Sequence, residues 1–95
     1  MMQTYYMLGK YPPGAIKHIS ALRTDECARI IEGLGGEIIL LDALLGQYDL
    51  AFITKFSDNT AALKASLALM KVTGINFITL PAIPVSDFDK LAVEI

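Results

Sequence analysis

Glu37-Ile38-Ile39-Leu40-Leu41-Asp42-Ala43-Leu44-Leu45, Gly46-Gln47-Tyr48-Asp49 and Leu50-Ala51-Phe52-Ile53-Thr54-Lys55-Phe56 follow one another without a break and read as two strands around a turn. A strand sends alternate side chains to opposite faces, so a sheet wetted on one side alternates apolar with polar residues. These two strands do not alternate, and both of their faces need cover. Gly46-Gln47 suits a two-residue type II′ turn, whose first central position takes a positive φ. In such a hairpin Asp42, Asp49 and Lys55 point to one face, and Tyr48 shares the other with Leu45, Leu50 and Phe52.

Upstream, Gln3 to Tyr11 (QTYYMLGKY) reads as a first strand, broken by Pro12-Pro13-Gly14 because proline has no amide proton for a ladder. Ala15 to Ile19 forms at most a turn or two of helix. Thr24 is placed to cap a stronger helix with Asp25 and Glu26 in its first turn. Cys27, Ile30, Ile31 and Leu34 then recur at i, i+3, i+4, i+7 as one buried stripe, ended by Gly35-Gly36. Downstream, Ser57-Asp58-Asn59 supplies the cap of a helix from about Thr60 to Thr73, with Leu63, Leu67 and Met70 inward, Ala62, Ser66 and Leu69 beside them, and Lys64 and Lys71 outward. Gly74 stops it. Ile75 to Ile83 reads as a fourth strand that Pro81 confines to a sheet edge, and Ser86 caps a short last helix reaching Val93.

The order β-α-β-β-α-β with right-handed crossovers predicts an α+β, ferredoxin-like antiparallel sheet ordered 4-1-3-2. Both crossover helices then pack on one face. The other face is bare and apolar, and a second copy's sheet is its simplest cover, giving a dimeric α/β barrel. Ninety-five residues make a single domain, 1–95, of which about a third of the unfolded surface stays exposed after folding. With 54% hydrophobic and only 19% charged residues, little polar material is present to coat that surface. The excess points to an oligomer interface or a ligand cavity.

Net charge is −2 and the eight Lys and Arg are scattered singly, so no basic stripe exists for nucleic acid or an anionic membrane surface. The longest charge-free stretch, Val72 to Ser86, is interrupted by Gly74, Asn76, Pro81 and Pro84, whereas a spanning helix needs about 20 mostly apolar residues. No basic region followed by an apolar core opens the chain, so no signal peptide is expected. The single cysteine, Cys27, has no internal disulfide partner, and a reduced, cytoplasmic protein is the expectation. CxxC, HExxH, GxSxG and Walker-type spacings are absent, and one His with one Cys does not make a usual zinc site. The chain has no Trp and a single His, which argues against haem. No metal and no cofactor is expected.

Asp49 is the first candidate for chemistry: a carboxylate at the head of a nearly apolar strand is the desolvated kind of group a general base requires. Its structural alternative, the more frequent one, is to accept backbone amide protons and pin the hairpin. Tyr48 is either a core aromatic with a satisfied hydroxyl or a pocket donor. Gly46 is conformational. Tyr5 and Tyr6 fall on opposite faces of the first strand, and Tyr6 and Lys10 complete the candidate ligand-binding set. His18, the only histidine, is the second candidate base, although it lacks a partner in sequence and a surface or packing role is commoner. Cys27 on its apolar stripe reads as inert core.

Gly46-Gln47-Tyr48-Asp49, embedded in LLGQYDLAFITKFSDNTAALKASLALMKVTGINFITLPAI, resembles the GYD-domain family. Members carry a G-x-Y-D signature, then a strand, an Asp-containing cap, an Ala/Leu-rich helix and a Thr-Leu-containing last strand. Gly14-Ala15-Ile16-Lys17 and Leu34-Gly35-Gly36 extend the resemblance upstream. It implies a ferredoxin-like domain that dimerises as an α/β barrel, and no established activity. Members often carry basic residues in the fourth strand, where this chain has Asn76 and Pro81, and an acidic residue where it has Ile78. An anionic ligand served by those charges elsewhere is expected to be lost or changed here.

Three functions are therefore open. The first is a small-molecule binding or sensing homodimer, with an apolar pocket between sheet and helices rimmed by Tyr48 and Asp49. The second is a cofactor-independent oxygenase or isomerase of the dimeric-barrel type, with Asp49 or His18 as base and Tyr48 polarising an apolar substrate. The third is a structural or partner-binding module using a sheet edge.

Overall fold

Side-chain alternation in the central strand sets the inside of this fold. β1 (Gln3–Lys10) buries Tyr5, Met7 and Gly9 on one face and turns Thr4, Tyr6, Leu8 and Lys10 to the other. The computed structural model describes residues 1–14 and 20–95. Over them run α1 (Ala21–Gly33), β2 (Glu37–Ala43), β3 (Leu50–Phe56), α2 (Asn59–Thr73), β4 (Asn76–Ala82) and α3 (Val85–Val93). The strands form one antiparallel sheet ordered β2-β3-β1-β4, the ferredoxin-like order expected from the sequence. β4 lies at an edge, where a Pro81 without an amide proton is tolerated.

α1 and α2 cover one face only. Cys27 and Ile31 of α1 and Ala62, Ala65 and Leu69 of α2 pack on Tyr5, Met7, Phe52, Phe56 and Phe77. The inward face of α2 is built of small side chains, Ala62, Ala65 and Ser66, with Leu69 the one large one. Leu63 and Leu67, expected inward, are 57% and 55% exposed. The close approach of α2 to the aromatic layer explains this: alanines fit where leucines would overlap the rings. The Tyr5 hydroxyl joins the layers by donating to Asn59 Oδ1 at 2.6 Å. Tyr5 and Phe56 meet edge to face with centroids 6.1 Å apart.

Local signals were misplaced in four places. α1 begins at Ser20, whose Oγ accepts from the Arg23 amide, so Thr24 lies inside the helix and does not cap it. The link between β2 and β3 is a six-residue loop, residues 44–49, rather than a two-residue turn. Gly46 does take a positive φ of 146° within it. A register shift between Ile38 and Leu40 supplies the reason for β2's unbroken apolar run. An extra residue at such a bulge resets the alternation, so Ile38 and Leu41 lie on the helix side and Leu40 on the other. Finally, Pro84 occupies the N-cap position of α3, and Ser86 makes no capping bond.

Two apolar surfaces are left without cover by the described residues. The helix-free sheet face carries Tyr6, Leu40, Ile78 and Leu80, each 36–45% exposed, beside half-buried Leu8 and Ile53. α3 has no buried residue, and Val85, Phe88 and Leu91 at three-residue spacing are 72%, 60% and 51% exposed. Among the described residues no helix is long and apolar enough to cross a membrane.

Gly36 enters β2 where a Cβ would stand 2.6 Å from Phe56 Cε1 and 2.9 Å from Ile31 Cγ2, both on fully buried residues. Overpacking of a filled core costs about 1–3 kcal/mol. Gly36→Ala is expected to lower the unfolding free energy by about that amount in chemical denaturation, and an unchanged midpoint would show that the Phe56 ring is free to yield.

Candidate functional site

The ends of several elements meet at one end of the sheet. β1 and β2 finish there, β3 and β4 start there, and α1 begins above them while α2 terminates nearby. Strands diverging beneath a helix N-terminus leave a space that their side chains do not fill. The result is a cavity of about 350 Å³. Its sheet side is apolar, with Leu41, Leu50, Phe52 and Ile75. α1 lines it with Ser20, Arg23, Thr24 and Cys27, and Tyr11, Asp42, Leu44 and Asp49 complete the wall.

Asp49 fastens the loop to the end of β1. Its amide donates to the Gly9 carbonyl at 2.8 Å, and its Oδ2 accepts from the Tyr11 amide at 2.8 Å. The Leu44 amide in turn donates to the Asp49 carbonyl at 2.8 Å. The carboxylate thus holds a backbone amide that follows Pro-free β1, not one within its own turn. Arg23 reaches from α1 to the end of α2, where Nη2 donates to the Thr73 carbonyl. Its other terminal nitrogen, Nη1, is buried and has no hydrogen-bond partner among the described residues.

Burial pushes the Cys27 thiol above its ordinary value of 9.0, against the opposing pull of Arg23. The thiol therefore stays protonated at neutral pH, a poor nucleophile. Burial likewise raises the Tyr11 phenol, with Arg23 lowering it and Cys27 and Asp49 raising it. Arg23, Cys27 and Asp49 thus all act on one phenol beside the cavity.

The sequence-derived candidates divide between locations. Asp49 lines the cavity. Asp42 lines it too, at the edge strand, whereas Lys55 stands opposite Glu37 at the far end of the β2–β3 pair. Asp42 stands opposite Ala51, so its side chain shares the helix-free face with Lys55 as expected, although the two lie at opposite ends of the strand pair. Tyr48 is half-buried in the loop and does not line the cavity, and Leu45, its expected companion, is fully exposed. Tyr6 lies on the helix-free face beside a shallow depression of about 180 Å³ formed with Thr4, Ala82, Ile83 and Pro84. Lys10 is exposed at the end of β1, opposite Asn76, on the face away from the cavity. His18 lies outside the described residues. Among the described residues no group of three or more His, Cys, Asp and Glu is placed to hold a metal ion.

Arg23 was not singled out in the sequence, and Tyr11 and Thr24 were read only as a strand end and a helix cap. With Ser20 read as the cap, Arg23, Cys27 and Ile31 fall at four-residue spacing on one face of α1, which places Arg23 against the sheet.

The profile of the GYD domain matches residues 5–92. The chain belongs to the GYD domain family. A crystal structure of a homoserine dehydrogenase from Thiobacillus denitrificans shares the fold of this GYD domain, with a TM-score of 0.58 and 14% identity over 85% of the chain. The domain spans only 17% of that enzyme's chain, and the likeness concerns the fold alone. No curated protein matches the domain in sequence.

Removing the acceptor of a fully buried amide costs about 1–3 kcal/mol, and the bond from the Tyr11 amide to Asp49 is partly buried, which places its loss toward the lower end. Asp49→Ala is expected to destabilise the GYD domain by that order in thermal or urea unfolding, and Asp49→Asn, which keeps an oxygen for the Tyr11 amide, to recover most of the loss. Equal behaviour of the two variants would mean that the charge, not the hydrogen bond, holds the loop.

Proposed function

We propose that this GYD domain binds a small, largely apolar molecule in the cavity beneath α1 and self-associates through its helix-free face. The observation that carries the first half is the cavity itself. About 350 Å³ with an apolar floor and a few convergent polar groups is the usual make-up of a small-molecule site. Binding is favoured over catalysis because the groups near the cavity are already engaged: Asp49 holds the Tyr11 amide and Cys27 is kept as a thiol. One buried free thiol is in keeping with a reducing, cytoplasmic setting.

Self-association is supported by two apolar surfaces that the described residues leave uncovered, the sheet face around Tyr6 and Ile78 and the stripe of α3. A second copy supplies a partner for both. The radius of gyration, 14.4 Å, exceeds the roughly 12 Å of a packed domain of this length, in keeping with an α3 that stands off its own sheet.

The two halves are separable. Titration with the neutral fluorophore N-phenyl-1-naphthylamine is expected to show saturable binding that Thr24→Phe, which fills the cavity from α1, weakens at least tenfold. Ile78→Lys, on the opposite face, leaves it unchanged. Binding lost in Ile78→Lys but kept in Thr24→Phe would transfer the site to the sheet face and overturn the cavity reading. Sedimentation velocity is expected to find a dimer for the wild type and a folded monomer for Ile78→Lys. A wild-type monomer at tens of micromolar would remove the second half and favour a module that docks another protein.

A further inference from the structure

We propose that the cavity takes a monoanionic amphiphile, a small molecule with an apolar body and one carboxylate, whose head group is bound by the Arg23 guanidinium. The inference rests on the cavity-binding reading above and adds the chemical class of the ligand.

Three observations carry it. Arg23 lines the cavity, and its guanidinium is fixed on one side by the Thr73 carbonyl. Nη1 on the other side is buried with no partner among the described residues. A buried donor left unmade is costly, more so on a charged group, so a small turn of the guanidinium toward the cavity is favoured when an acceptor arrives there. A carboxylate is the acceptor matched to a planar guanidinium and forms the stronger, charge-assisted bond.

The remaining wall decides the rest of the ligand. Ser20 and Thr24 set the first turn of α1 beside the Arg23 head, and a helix N-terminus favours negative charge there. Leu41, Leu50, Phe52 and Ile75 offer the body of the ligand only apolar surface. Asp49, in the loop that closes the strand side, stands across from the helix that carries Arg23. Its charge opposes a second negative group, which selects a monocarboxylate over a dicarboxylate or a phosphate monoester. The volume admits a chain or ring of moderate size with room for the head group.

Octanoate and octan-1-ol separate the claims, since they share a body and differ in charge. Calorimetric titration of the wild-type protein at neutral pH is expected to show octanoate binding at least tenfold more tightly than octan-1-ol. Octyl phosphate is expected to bind more weakly than octanoate. In Arg23→Met the preference for octanoate over the alcohol falls below threefold while the alcohol still binds. Arg23→Lys, which keeps a cation able to reach the Thr73 carbonyl, retains most of the preference if Arg23→Met does not fold. Equal binding of octanoate and octan-1-ol to the wild type would overturn the carboxylate assignment and leave the cavity reading intact. Binding of neither would overturn the cavity reading itself.

Discussion

Two helices for a sheet with two faces is the constraint on which this structure depends. β1, β3 and β4 send Tyr5, Met7, Phe52, Phe56 and Phe77 to the same side, and α1 and α2 suffice to bury that side alone. Apolar side chains pointing the other way, Tyr6, Leu8, Ile53, Ile78 and Leu80, follow from strand alternation and have no helix above them among the described residues. Additional core is not an option at this length. The hydrophobic excess of the composition is thus divided between an aromatic core on one face and an uncovered layer on the other.

The same geometry makes the cavity. α2 sits close because its inner face is Ala62, Ala65 and Ser66, whereas α1 meets the sheet with Cys27 and Ile31 only over its middle and C-terminal half. At the N-terminal end of α1, Arg23 spans to the end of α2 instead of filling the gap, and the loop clamped by Asp49 closes the strand side. A guanidinium held by one nitrogen and an apolar floor are therefore side effects of how two helices of different girth share one sheet. Polar groups at this end are few, and most are already bound to backbone.

Much of the architecture was legible from pattern. Element order, the crossovers, the edge position forced by Pro81, the Asp58 cap with its 2.8 Å bond from the Ala61 amide, and the left-handed Gly74 all follow from local chemistry. The candidate site was legible at Asp49 alone. Tyr48 was expected at the pocket because a two-residue turn would keep it in the ladder beside Leu50 and Phe52; the six-residue loop keeps the same register of Ala43 with Leu50 but takes Tyr48 out of the strand. Tyr5 and Tyr6 point to opposite faces of β1, and it is Tyr5 that turns to the helices. Leu63 and Leu67 were expected inside because hydrophobicity outranks small size in a helical-wheel reading, while the aromatic layer beneath α2 rewards the reverse.

The amino-acid sequence by itself determined which segments become strands and helices, their order in the sheet, and that more apolar surface exists than one small core absorbs. Those properties depend on neighbours a few residues apart and on the handedness of crossovers. Only the tertiary structure decided that Tyr11, Arg23, Cys27 and Asp49 surround one cavity, that Arg23 keeps one nitrogen without a partner, and that α3 lies against none of the layers. Such facts depend on distances between segments tens of residues apart, set by packing of side chains whose sizes no local pattern compares.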